Sequence, residues 1–200
     1  MVFLVVVLIS ASGVPFMAIE DDSTLEFCEV DRSIEDDTTM VVFDDFSDGD
    51  HTSDPEWTVH DGEWGVEDEI LQGQGTISTN ESAYRAYGRW EYDFSLERVD
   101  WDGDYQMIRF YFVQNGDPDP EETDGYFVTV TGDTYNQINL WRMDEGDMTG
   151  LASADWDPDT EWHTLSIERD LDNIITVYLD GDEMISDVHD DTYTSSEYKG

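Results

Sequence analysis

Glu91, Asp93 and Glu97 are the residues whose types and spacing come nearest to catalysis. Glycoside hydrolysis needs two carboxylates flanking the scissile bond, about 5–5.5 Å apart for retention or about 6.5–9.5 Å for inversion. All three positions are odd, so an extended strand would carry them on one face. The background argues the other way. Of the 200 residues 50 are Asp or Glu, and such a chain shows acidic outer strand faces in any case. No catalytic residue is assigned, and the chain reads as leaning away from an enzyme. The four histidines, His51, His60, His163 and His189, have no metal-type spacing. Cys28 is the only cysteine, which excludes an internal disulfide and leaves a free thiol in a linker. Carboxylates crowd Asp45 to Asp50, Asp100 to Asp104 and Asp117 to Asp124, but none of these runs is a calcium-binding EF-hand loop. Counted from Asp100, position six is Tyr105 where glycine is needed, and position twelve is Tyr111 where glutamate is needed. These runs read as loops of solvated acids.

A second chemistry fits better. Sugar rings are held by aromatic faces against their C–H side and by amide or guanidinium groups on their hydroxyls. In "YQMIRFYFVQ", placing Ile108, Phe110 and Phe112 inward turns Arg109 and Tyr111 outward. In "YNQINLWRM", inward Ile138 and Leu140 turn Gln137, Asn139 and Trp141 outward. The candidate patch is therefore Arg109, Tyr111, Asn139 and Trp141, with Tyr126 and Gln137 at its margin. A register slip of one residue would bury Trp141 and Tyr111 instead, and both readings stand at this point.

The elements that would position this patch are strands. From Met40 the chain falls into short segments with period-two alternation, bounded by Asp-Gly, Gly-Asp or Asn-Gly signals. "MVVFDDF" reads as one strand, and "EWTVHDGEWGVEDEILQGQG" as a meander turning at Asp61-Gly62. "GRWEYDFSLE" puts Trp90, Tyr92, Phe94 and Leu96 on one face. In "EWHTLSIERDLDNIITVYLDGDEM", Leu165 and Ile167 face inward, as do Ile175, Val177 and Leu179. That hairpin turns at Asp172-Asn173, and Asp180-Gly181 is the strongest turn signal in the chain. About ten strands without a sustained helical period predict an all-β, antiparallel two-sheet β-sandwich over residues 40–200. Residues 19–39 read as an acidic linker. Residues 1–18 read as a signal peptide or membrane anchor: Val2 to Ile9 has the length of a signal h-region, and Ala11-Ser12-Gly13 suits cleavage. Export to the medium or cell surface is the expectation, and it would make Asn80-Glu81-Ser82 a usable N-glycosylation site.

Charge narrows the partners. Eight Lys+Arg against 50 Asp+Glu give a formal net charge of −42. Chains this acidic and poor in aromatics are disordered, but 13% of these residues are Phe, Tyr or Trp, enough for a core. Self-repulsion of this size is tolerable where salt screens it, the Debye length falling from about 30 Å at 0.01 M to about 3 Å at 1 M. The acidity therefore describes a high-salt solvent, as in halophilic and especially haloarchaeal proteins. It excludes nucleic acid, whose phosphates need Lys and Arg clusters.

The order "FDDFSDGD…EWTVHDGEWGVEDEILQGQG", "YGRWEYDFSL", "DGYFVTV…INLWRM", "EWHTLSIERD…ITVYLDG" resembles the concanavalin A-like lectin/glucanase superfamily, and within it the laminin-G-like jelly-roll domains. The resemblance covers about residues 40–200 and rests on the order of five loose motifs. It implies a jelly roll whose curved front sheet binds a polysaccharide or other glycan, as a carbohydrate-binding module or a hydrolase; a structural adhesion or surface domain without a small ligand is the other alternative. Glucanases of this superfamily carry an E-x-D-x-E or E-x-D-x-x-E strand, whereas the corresponding place here reads "DGYFVTVTG", without paired carboxylates. A non-catalytic module is the expectation. No cofactor is implied, although relatives often hold a structural Ca2+ between the first and last strands. Such domains run on into a further strand where "EYKG" ends this sequence, so the sandwich is expected to lack its last strand.

Overall fold

Alternating apolar residues give each strand one face to bury, and two sheets result. The computed structural model describes residues 2–10, 41–42, 44–53, 55–79, 86–96, 107–115, 124–132 and 135–194. The expected cleavage site, the linker with Cys28, Asn80, Glu97, the acidic runs at 100–104 and 117–123, and the continuation beyond "EYKG" lie outside these residues. Twelve strands form among the described residues: β1 Val2–Ser10, β2 Val41–Val42, β3 Trp57–Glu67, β4 Ile70–Thr79, β5 Gly88–Leu96 and β6 Met107–Gln114, then β7 Gly125–Thr131, β8 Gln137–Asp144, β9 Asp147–Asp155, β10 His163–Arg169, β11 Ile174–Leu179 and β12 Asp182–His189. One sheet runs β12-β11-β10-β5-β1-β4-β3, with β2 paired to β1, and the other runs β6-β7-β8-β9. Every pairing is antiparallel.

The core lies between the sheets. Trp90 and Phe94 of β5 meet Phe112 and Phe110 of β6 at ring-centroid distances of 5.1 and 5.5 Å. Leu165, Ile167, Ile175, Val177, Ile138 and Leu140, buried as their parity predicts, fill the space around them together with Val128 and Val130. A smaller cluster of Phe46, Trp57 and Leu71 packs under the β3–β4 hairpin. Asp44 closes it, its carboxylate accepting from the Phe46 amide at 2.8 Å and from Trp57 Nε1 at 2.7 Å.

Two local expectations are corrected. "MVVFDDF" is not one strand: among its described residues Val41–Val42 pair, while Phe46 enters the small cluster and Asp44 bonds to it. Asp61-Gly62 is not a turn either. It lies within the eleven residues of β3, at a register shift between Val59 and Asp61. Gly62 has φ +82°, and a Cβ there would lie 1.8 Å from the Gln74 carbonyl oxygen. Its glycine serves a bulge and a close strand approach. The chain turns at Asp68-Glu69, both with positive φ. By contrast Asp180-Gly181, φ 53° and 84°, does join β11 to β12.

The N-terminal apolar segment enters the sheet as β1. It pairs with β5 from Val2↔Leu96 to Ser10↔Arg89, and with β4 from Val2↔Gly73 to Leu4↔Leu71.

Candidate functional site

Three neighbouring strands, β6, β7 and β8, decide which side chains share the outer face of the four-stranded sheet. Residues directly opposite in an antiparallel pair point the same way. The register pairs Tyr111 with Phe127 and Phe127 with Trp141. It pairs Arg109 with Thr129 and Thr129 with Asn139. Two rows therefore cross the sheet side by side, one aromatic and one polar.

The aromatic row is continuous. Trp141 lies parallel to Phe127 with centroids 6.3 Å apart and planes 11° apart, and Tyr111 meets the other side of Phe127 at 5.2 Å. Phe127 is only 1% exposed, whereas Tyr111 and Trp141 are half-buried. Gly150 of β9, opposite Trp141, leaves room for the indole: a Cβ there would lie 3.3 Å from Cζ3. The polar row fixes the orientation of the aromatic one. Trp141 Nε1 donates to Thr129 Oγ1 at 3.0 Å, and Asn139 Nδ2 reaches the same oxygen at 3.4 Å. The exposed Arg109 holds its guanidinium 5.7 Å from the Phe127 ring centre, a cation–π distance. The result is a fixed apolar surface beside guanidinium and amide donors, able to hold a ring with one C–H face and several hydroxyls.

The structure thus brings Arg109, Tyr111, Asn139 and Trp141 together on one outer face. Gln137, opposite Thr131, is at the margin, with Nε2 3.5 Å from Asp155 Oδ1. Tyr126 does not belong. It is 0% exposed and faces the core with Val128 and Val130, because its even position shares their parity. Its hydroxyl donates to Asp190 Oδ1 at 2.6 Å, and Arg169 lies 4.9 Å over its ring. Burial first, then the Asp190 carboxylate, push this phenol far above the usual range. Sequence reasoning missed Phe127 and Thr129, the floor of the patch. The alternation that turned Tyr126 inward would have found them.

Glu91 and Asp93 lie on the outer face of the other sheet. Glu91 accepts from Arg89 at 2.8 Å and from Ser166 Oγ at 2.9 Å, and Asp93 accepts from Thr164 Oγ1 at 2.6 Å. The bonds from Ser166 and Thr164 are cross-strand, β10 to β5, and the one from Arg89 lies within β5. On β7, where the glucanase resemblance asks for carboxylates, the outer positions are Phe127, Thr129 and Thr131. The acids Asp45, Asp48 and Asp50 bind amides of their own loop at 2.7–3.1 Å. Among the described residues no three His, Cys, Asp or Glu are grouped to hold a metal.

No protein-family model and no curated protein matches the chain. Solved structures do. A carbohydrate binding module, CBM66 from Bacillus subtilis, superposes with a TM-score of 0.54 at 21% identity, over 72% of this chain and 84% of that one. The shared fold is an antiparallel β-sandwich. The carbohydrate recognition domain of Emp47p gives 0.44 at 16% identity, over 72% and 76% of the two chains. A carbohydrate esterase, vb_24B_21 from the Shiga toxin-encoding bacteriophage phi24B, gives 0.31 at 14%, over 72% and 79%. At 21% identity the likeness to CBM66 is one of fold.

Proposed function

We propose that this chain is a non-catalytic carbohydrate-binding module whose glycan lies across the outer face of β6, β7 and β8. The observation that carries this reading is the Tyr111–Phe127–Trp141 row set beside Arg109 and Asn139. The shared fold supports it, since CBM66 is by name a carbohydrate binding module. The finer parts of the proposal rest on sequence: a laminin-G-like domain, exported from a halophile to the medium or cell surface. The apolar N-terminal segment and the charge of −42 support those parts.

A shallow platform of this kind binds in the micromolar to millimolar range, about −4 to −8 kcal/mol. Replacing a stacking aromatic at such a centre typically costs about 2 kcal/mol or more. In a polysaccharide pull-down at high salt, Trp141→Ala should therefore lose detectable binding while its circular dichroism and melting temperature stay near those of the parent. Unchanged retention by Trp141→Ala would end the proposal. Reducing-sugar release from the retained polysaccharide distinguishes a hydrolase, and no retention by any polysaccharide would favour an adhesion domain.

A further inference from the structure

We propose that the cleft beside Trp162, on the side of the sandwich away from Trp141, is a second sugar-binding subsite. The cleft measures about 360 Å³ and is lined by Ile70, Asp93, Trp162, His163 and Thr164. That volume lies within the range of small-molecule sites, about 300–1,000 Å³.

Trp162 is 46% exposed in a chain whose Trp57, Trp90 and Trp156 are buried. An indole left half in water forgoes part of the stabilisation that burial would give. The backbone that presents it is nevertheless clamped. His163, the next residue, bonds through Nδ1 to Asp180 at 2.8 Å and through Nε2 to Asp159 at 3.0 Å. Its ring sits 5.7 Å from Phe94 and 5.5 Å from Trp156. On the other side of Trp162, the Glu161 amide donates to Asp159 at 2.7 Å. An exposed aromatic on a fixed segment has its ordering cost met before a ligand arrives.

Asp93 supplies the polar wall. Thr164 Oγ1 donates to its Oδ1 at 2.6 Å, and the Thr164 amide is itself held by Asp180 at 2.8 Å, so the carboxylate has a set orientation. A carboxylate accepts about four hydrogen bonds, and one hydroxyl leaves room for more. The ligand that matches has an apolar face for Trp162 and Ile70 and hydroxyl donors for Asp93: a sugar ring. An ammonium group would find a carboxylate almost anywhere on this surface, whereas a sugar ring uses the apolar wall and the acid together. The subsite stands apart from the patch around Trp141, and subsites on opposite faces would let one module bridge two glycan chains.

Fluorine NMR of the chain carrying fluorotryptophan tests this, with Trp162→Phe and Trp141→Phe assigning the two resonances. Cellotriose, maltotriose, xylotriose and inulotriose are titrated at high salt, with tetramethylammonium as a separate arm. The Trp162 resonance should shift saturably with at least one trisaccharide, also in Trp141→Ala. Asp93→Asn should weaken that response about tenfold or more, since hydrogen bonds to a charged group are the stronger class, without lowering the melting temperature. A Trp162 resonance that ignores all four sugars, that answers only tetramethylammonium, or that is indifferent to Asp93→Asn overturns the proposal. A response at Trp162 with none at Trp141 would support this subsite and count against the outer face of β6–β8.

Discussion

Arg169 is the residue with the most to lose. It is 2% exposed and donates to the carbonyls of Ala86, Tyr193 and Asp190 at 2.6–2.9 Å and to Asn173 Oδ1 at 3.2 Å. The same knot holds Asp190 between Tyr126 and Arg142. Burial raises the pKa of Asp190, but hydrogen bonds from Thr192, Tyr126 and Arg142 outweigh it and hold the carboxyl below its usual range. Replacing Arg169 with Met would strand these neutral acceptors, and a buried polar group left unsatisfied typically costs about 1–3 kcal/mol. Chemical denaturation should show a loss of that order. A second residue gives a pH signature. Burial works against charge on His163, but the hydrogen bonds and charges of Asp180 and Asp159, the titratable groups facing it, prevail, and its pKa is raised. A raised folded pKa gives stability that is full below the unfolded value, about 6.5, and is lost as pH rises through the folded value. The melting temperature of the parent should therefore fall across that window relative to His163→Gln, which cannot titrate. Parallel curves for the two would show that the clamp carries no linked proton.

At the scale of elements, legibility followed the contrast between a strand's two faces. Strands such as Trp90-Glu91-Tyr92-Asp93-Phe94 and Ile175-Thr176-Val177 announce their inner face with large apolar residues. Register on β6 and β8 was readable for the same reason, and with it the candidate patch. β9 was not, because Gly150, Ala152, Ser153 and Ala154 offer little contrast between faces. Tyr126 was misread because aromatics serve equally well as core and as ligand platform, and only its parity with Val128 separates the two. Gly62 was misread because a glycine at positive φ marks a bulge as readily as a turn. Its substitution by Ala should weaken the β3–β4 hairpin, since positive φ alone costs a non-glycine residue about 1 kcal/mol or more and the added Cβ meets backbone. A melting temperature equal to that of the parent would contradict the bulge assignment. β1 carries a different consequence. Among the described strands it is the one joining β4 to β5. A chain lacking residues 1–10 would leave the β5 edge open and detach the β3–β4 hairpin. Exposed strand edges invite association. Size-exclusion chromatography should show the shortened chain aggregating while the longer one does not, unless another strand is supplied to the slot.

The whole molecule is governed by its charge. With 50 acidic and 8 basic residues, mean separations on the surface are small compared with the Debye length in dilute buffer, about 30 Å at 0.01 M. Each acid then feels many others, and the repulsion opposes compaction without regard to how well the core packs. Among the described residues the guanidinium ion pairs join Arg89 to Glu91 and Glu168, and Arg142 to Asp144 and Asp190. They engage two cations and cannot offset a net −42. Near molar salt the screening length shrinks to about 3 Å, which leaves only contacts such as these and lets burial of the aromatic core decide stability. Stability should therefore rise with salt over the whole range from dilute buffer to molar concentration. The exposed pairs at Arg89 should weaken over the same range without reversing the trend, being worth at most about 1 kcal/mol. Near-ultraviolet circular dichroism, which reports the packed Trp90 and Phe94 region, followed through thermal melts at stepped sodium chloride concentrations, measures this directly. A rising melting temperature with cooperative transitions is expected at high salt, and expansion or loss of the signal in dilute buffer. A melting temperature independent of salt would mean that repulsion is not what limits this fold, and the halophilic reading would fall with it.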